Sequence, residues 1–159
     1  MRVFHGSTVA VEEPDVTRSR ANLDFGRGFY VTSISVQAGR WARRKSLRSR
    51  RPAVVSEYEL DIDPKGFQIL RLDADARWLD FVVACRRGGP DYLRYDLISG
   101  PVADDRVYEA VDFYFRGLWD QERTLAALRF YEMNDQLCLI TQRAVDERLT
   151  FISADEVST

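Results

Sequence analysis

Three observations predict a single domain of α+β class, spanning residues 1–159. The chain has 159 residues, the size of one compact unit. Hydrophobic residues make up 45% of it and charged residues 30%, with only 9 Gly and 5 Pro, enough apolar surface for a real core and against a disordered or fibrous chain. Strand-like and helix-like stretches then follow one another irregularly, without the βαβ order of a doubly wound parallel sheet.

The elements read as follows. Arg2–Thr8 is an opening strand, with Val3 alternating with His5. Residues 12–27 are loop-like, with Pro14, several Asp and Arg, and Gly26 and Gly28 near the end. Phe29–Thr32 is a short strand. A helix over Val36–Leu47 follows, with Ser33 or Ser35 as its N-cap; Ala38, Trp41, Ala42 and Lys45 share one packing face. Ala53–Asp61 and Phe67–Leu72 are strands joined by the turn Asp63-Pro64-Lys65-Gly66. Asp75–Arg87 is a helix stopped by Gly88-Gly89-Pro90, and Leu93–Ser99 a strand ended by Gly100-Pro101. Asp104–Arg116 and Thr124–Tyr131 are helices around a break at Gly117. Leu137–Thr141 is a late strand, Gln142–Arg148 a helical turn and Leu149–Ser153 a last strand.

Composition removes several function classes. A net charge of -2 gives no overall field toward nucleic acid or an acidic membrane. Cys85 and Cys138 are too few for a disulfide framework and suit a reducing cytoplasm. With a single histidine and no ligand spacing, no metal site is expected. The stretches Phe81–Cys85 and Leu137–Ile140 fall far short of a membrane span, and residues 1–8 do not read as an export signal, so a cytoplasmic location is expected.

Three stretches carry candidate chemistry. His5-Gly6-Ser7 holds the only histidine, beside a glycine that lets a ligand approach backbone; a core histidine is the plain alternative. Asp24-Phe25-Gly26-Arg27-Gly28-Phe29-Tyr30-Val31-Thr32 places Gly-x-Gly before a strand and not a helix, so it is no Rossmann fingerprint. A glycine-hinged turn into a strand is the plain reading there. Asn134-Asp135-Gln136-Leu137-Cys138-Leu139-Ile140 reads as a turn into a buried strand.

Taken in order, the three stretches resemble the signature of the poly(ADP-ribose) polymerase and diphtheria-toxin branch of ADP-ribosyltransferases. The chain is also similar to an uncharacterised bacterial toxin-like family related to those enzymes. That similarity lies in Arg20-Ala21-Asn22-Leu23-Asp24 through Thr32, Gln37-Ala38-Gly39-Arg40-Trp41-Ala42, the segment Tyr95 to Asp105, and Asp135-Gln136. The resemblance implies a split central antiparallel-rich sheet with flanking helices. It implies NAD as substrate, no metal, and a macromolecular acceptor for one ADP-ribose or water. It also implies a toxin encoded beside a small antitoxin protein.

The site residues it implies are His5, Gly6, Ser7, Arg20, Gly28, Tyr30, Trp41 and Gln136. Gly6 would offer its backbone to the nicotinamide amide, and His5 would donate to a ribose hydroxyl with Ser7 beside it. Tyr30 and Trp41 would sandwich the nicotinamide ring, although a core role for Trp41 stays open. Arg20 would meet the pyrophosphate. Catalysis would rest on His5, Tyr30 and Gln136, because cleaving the nicotinamide–ribose bond passes through an oxocarbenium-like state.

One departure bears on activity: Gln136 stands where the best-known transferases keep a glutamate. A full charge ~4 Å away at an effective dielectric of ~20 is worth roughly 4 kcal/mol, an upper figure. Activity is therefore modest, or a neighbouring carboxylate such as Glu132 or Asp135 compensates, or the site only binds. Strand alternation points Asp135 away from Gln136. Substituting glutamate for Gln136 is expected to raise NAD cleavage. The Gln/Glu-x-Glu motif of arginine-modifying toxins is absent, since Cys138 fills its last position, and polymer elongation is not expected.

Two alternatives remain beside the enzyme. One is a catalytically weak module that binds NAD or ADP-ribose. The other is a protein-interaction domain using the basic run Arg40, Arg43, Arg44, Lys45, Arg48, Arg50 and Arg51, whose plainest role is a solvated helix face.

Overall fold

The computed structural model describes residues 1–102, 105–128 and 134–157. It is an α+β domain built on two sheets. Strands β1 (Arg2–Ser7), β3 (Val54–Leu60) and β7 (Leu149–Glu156) form an antiparallel sheet in the order β1-β3-β7. Strands β2 (Phe29–Val31), β4 (Ile69–Arg71), β5 (Leu97–Pro101) and β6 (Asp135–Leu139) form the second, in the order β2-β6-β5-β4. Only β4 and β5 run parallel among the paired strands described, joined through helix α2 (Ala76–Arg86). The sheets touch where Phe4 and Thr32 exchange backbone hydrogen bonds of 2.8 and 2.9 Å.

Strand alternation divides the core in two. On β6, Cys138 enters one cluster with Phe25, Trp78, Leu79 and Val111, so this face of the four-stranded sheet is covered by α2 and by α3 (Asp105–Phe115). Helix α4 (Gln121–Leu128) adds Leu128 to the same cluster. Leu137 and Leu139 enter the other cluster with Val3, Phe29, Val31 and Tyr58, between the two sheets, closed by α5 (Gln142–Arg148). Tyr114, Phe115 and Trp119 pack against the first cluster.

Helix α1 (Ser35–Ser49) lies on β1. Neither Ser33 nor Ser35 caps it. Its N-cap is Ile34, and the turn into the helix is held instead by Thr32, whose hydroxyl accepts from the Ile34 N–H at 3.1 Å and donates to the Asp135 carboxylate at 2.6 Å. The expected strand from Leu93 begins only at Leu97. Residues Asp91–Arg94 wind into a 3₁₀ turn because the Pro90 carbonyl accepts the Leu93 N–H. The turn before β4 closes from Pro64 to Phe67, with Gly66 at a φ of 79°. Gly88, at a φ of 85°, ends α2 as expected. Tyr131, Glu132 and Asp104 lie outside the described residues. No helix among the described residues is long and apolar enough to cross a membrane.

Candidate functional site

A cleft of about 630 Å³ opens where β1, β2, α1, the end of β6 and the irregular segment before β2 meet. Seven of the eight expected residues line it: His5, Ser7, Arg20, Gly28, Tyr30, Trp41 and Gln136. Positions from opposite ends of the sequence meet because β2 pairs with β6, placing Tyr30 across from Cys138 and Gln136 on the same face.

His5 is partly buried, its ring stacked on Phe29 at 4.6 Å between centroids. Its Nδ1 lies 2.7 Å from the Tyr30 carbonyl oxygen. A carbonyl only accepts, so Nδ1 carries the proton and, in the neutral ring, Nε2 is a bare acceptor. Burial, then the Lys45 charge, push the His5 pKa down from 6.5 to about 4 against the opposing pull of the Tyr30 carbonyl. In that state the neutral ring offers the cleft an acceptor at Nε2, where the resemblance implies a donor.

The same shift governs stability. Between pH 4 and 6.5 the unfolded chain holds more protons on His5 than the folded one, so stability is complete above pH 6.5 and is lost as pH falls toward about 4. Relative to H5Q, the wild-type protein should lose about 2 kcal/mol between pH 7 and pH 5. Urea midpoints of the two proteins measured at both pH values check this, and parallel midpoints would show that the ring titrates normally.

Gly6, the eighth expected residue, is not among those lining the cleft; a Cβ there would run into the Ala38 carbonyl and come within 2.8 Å of the Ala42 nitrogen. Its glycine identity serves the close seating of α1 on β1. Its carbonyl accepts the Lys45 ammonium at 2.6 Å. Lys45 lines the cleft, and its pKa is lowered by desolvation of the ammonium, then by Arg20. In sequence Lys45 stands out only as part of the basic run, and its place on the helix face of Trp41 is the signal for its position in the cleft.

Gly28 is also set by packing, since a Cβ would meet Cys138 Sγ at 2.5 Å and the Leu139 carbonyl oxygen at 2.6 Å; its N–H donates to Ser19 Oγ at 3.2 Å. Tyr30 is pinned by donating to the Gly26 carbonyl at 2.7 Å and accepting from the Phe25 N–H at 3.0 Å. Burial raises its pKa well above 10, so it stays neutral. Trp41 belongs to neither core cluster and presents a partly exposed ring to the cleft. Arg20 is exposed at the rim.

Gln136 is 5% exposed, and its Nε2 donates to the Pro101 carbonyl and to Asp24 Oδ2, both at 3.2 Å. Two acceptors set the amide orientation and leave Oε1 for a ligand. Asp135 turns the other way, its carboxylate accepting from Thr32 and the Ser33 N–H, as alternation requires, so it does not compensate for the missing charge. Asp24 is the functional candidate that sequence reasoning missed. It sits inside the quoted Asp-Phe-Gly-x-Gly segment, but nothing in one dimension pairs it with Gln136.

The cleft thus offers aromatic walls in Tyr30 and Trp41, cations in Lys45, Arg18 and Arg20, two neutral acceptors in His5 and Gln136, and the carboxylates of Glu13, Asp15 and Asp24. Its volume suits an organic ligand, and the mixture suits one carrying rings, hydroxyls and phosphates. Among the described residues, no three His, Cys, Asp or Glu side chains are placed to share a metal ion. A family model described as a protein of unknown function, DUF3990, matches residues 1–151. No curated protein and no solved structure matches the chain.

Proposed function

The chain belongs to the DUF3990 family, and within it we propose an NAD-dependent mono-ADP-ribosyltransferase that transfers one ADP-ribose to a macromolecule or slowly hydrolyses NAD. The observation that carries this reading is the convergence of His5, Tyr30, Trp41 and Gln136 on one cleft from four separate stretches. The nicotinamide ring stacks against Trp41 and Tyr30, and the pyrophosphate lies toward Lys45 and Arg20. His5 Nε2 and Gln136 Oε1 accept ribose hydroxyl protons, which orients the sugar. Nicotinamide leaves with the electron pair of the glycosidic bond, and an acceptor hydroxyl, amine or water attacks the cationic anomeric carbon and loses its proton.

The role as a toxin beside a small antitoxin rests on the resemblance alone and is an argument by association. A cytoplasmic location accords with two buried free cysteines. A second reading, an NAD- or ADP-ribose-binding module without turnover, is favoured by one observation: Gln136 brings no charge of its own, and Asp24 is paired with Arg86.

Purified protein incubated with NAD and cell lysate should release nicotinamide and label a macromolecule. Protease and nuclease treatment of the lysate then identifies the acceptor class. Thermal stabilisation by NAD without nicotinamide release would select the binding module, and the absence of both would end the NAD assignment.

A further inference from the structure

Resting on the NAD-cleaving reading above, we infer that Asp24, alone among the cleft carboxylates Glu13, Asp15 and Asp24 in bonding Gln136, is the one that acts on the sugar: it fixes the Gln136 carboxamide and supplies the negative charge that a cationic ribose requires. Asp24 lines the cleft with a side chain 17% exposed. Its Oδ1 accepts Arg86 Nε at 2.9 Å and a second Arg86 nitrogen at 2.7 Å, while Oδ2 accepts Gln136 Nε2 at 3.2 Å. The two oxygens are thus divided, one facing the guanidinium and one facing the residue where the charge is missing. The field of Asp24 reaches the cleft wall, since after burial and Cys138 it is among the influences that raise the Tyr30 pKa.

This arrangement explains why residue 136 is a glutamine. A glutamate there would set its carboxylate against Asp24 and the Pro101 carbonyl, where the amide now donates to both. The pair holds one carboxylate and one carboxamide, with the charge on residue 24. The gain in cleavage expected for Q136E is therefore reversed: in the presence of Asp24 the variant should cleave NAD more slowly. Combined with D24N, which turns the neighbour into an amide, the same substitution restores a single carboxylate beside the ribose.

The test is nicotinamide release by the full chain across a range of NAD concentrations. D24N should lower kcat about 100-fold while KM stays within about 3-fold, the pattern of a charge used in the transition state. D24N/Q136E should recover about 10-fold of that kcat without regaining the stability of the Arg86 ion pair, a rescue that a purely structural Asp24 would not allow. If D24N does not fold, Q136E alone decides, and faster cleavage by it overturns the inference. A wild-type protein that cleaves NAD while D24N keeps its kcat, or loses activity only through KM, overturns the role of Asp24 and leaves the functional reading standing. A wild-type protein that releases no nicotinamide overturns both.

Discussion

Gly6→Ala is expected to destabilise the protein by about 3–5 kcal/mol, at the upper end of overpacking effects. The added Cβ would overlap the Ala38 carbonyl and stand 3.0 Å from its carbon and 2.8 Å from the Ala42 nitrogen. These are backbone atoms of one helix, so no side chain can turn aside, and α1 must lift from β1. Lifting it also carries Trp41 and Lys45 away from the cleft, so ligand binding falls with stability. Gly39→Ala on the same helix is the control. The nearest heavy atom to its added Cβ is Arg43 Nη1 at 3.7 Å, so the substitution should be neutral or gain up to ~1 kcal/mol from helix propensity. Denaturant unfolding of both variants decides. Equal stabilities would mean that the helix does not rest on the strand this closely.

Trp41→Ala should weaken NAD binding about 10–100-fold, the loss of roughly 1–3 kcal/mol that stacking a base on an aromatic ring supplies. Stability should change by no more than ~1 kcal/mol, because the ring is partly exposed and belongs to neither buried cluster. Trp41→Phe, which keeps a π-face, should retain most of the affinity. Titration of NAD followed by thermal shift or calorimetry measures the first quantity, and urea unfolding the second. A loss of several kcal/mol in stability with unchanged affinity would return Trp41 to the role of a packing residue, the alternative its helical spacing also allowed.

The element order was largely legible, and the misses have local causes. The alternation of Val3 with His5 locates β1, and the shared face of Ala38, Trp41, Ala42 and Lys45 locates α1. The strand expected from Leu93 starts later because the Pro90 carbonyl takes the Leu93 N–H into a 3₁₀ turn. The cap of α1 was sought in the nearest serines, yet its anchor involves Asp135, far along the chain on another strand. At Gly6 the close approach of backbone looks the same in sequence whether the visitor is a ligand or a helix, and the structure places α1 there.

The order of residues along the chain determined which side chains were available for chemistry: one histidine, one tyrosine beside Gly-x-Gly, one tryptophan on a helix face and a glutamine where a charge was expected. It also determined which faces of each strand and helix are apolar, since those periodicities are local. Only the tertiary structure decided the protonation and pairing of these groups. The Tyr30 carbonyl selects the His5 tautomer, Lys45 reaches the Gly6 carbonyl, and Asp24 meets Gln136 at a sequence separation of 112. Hydrogen bonds and electrostatics act over a few ångströms of space whatever the separation along the chain, so the charge of this cleft becomes visible only once β2 is paired with β6.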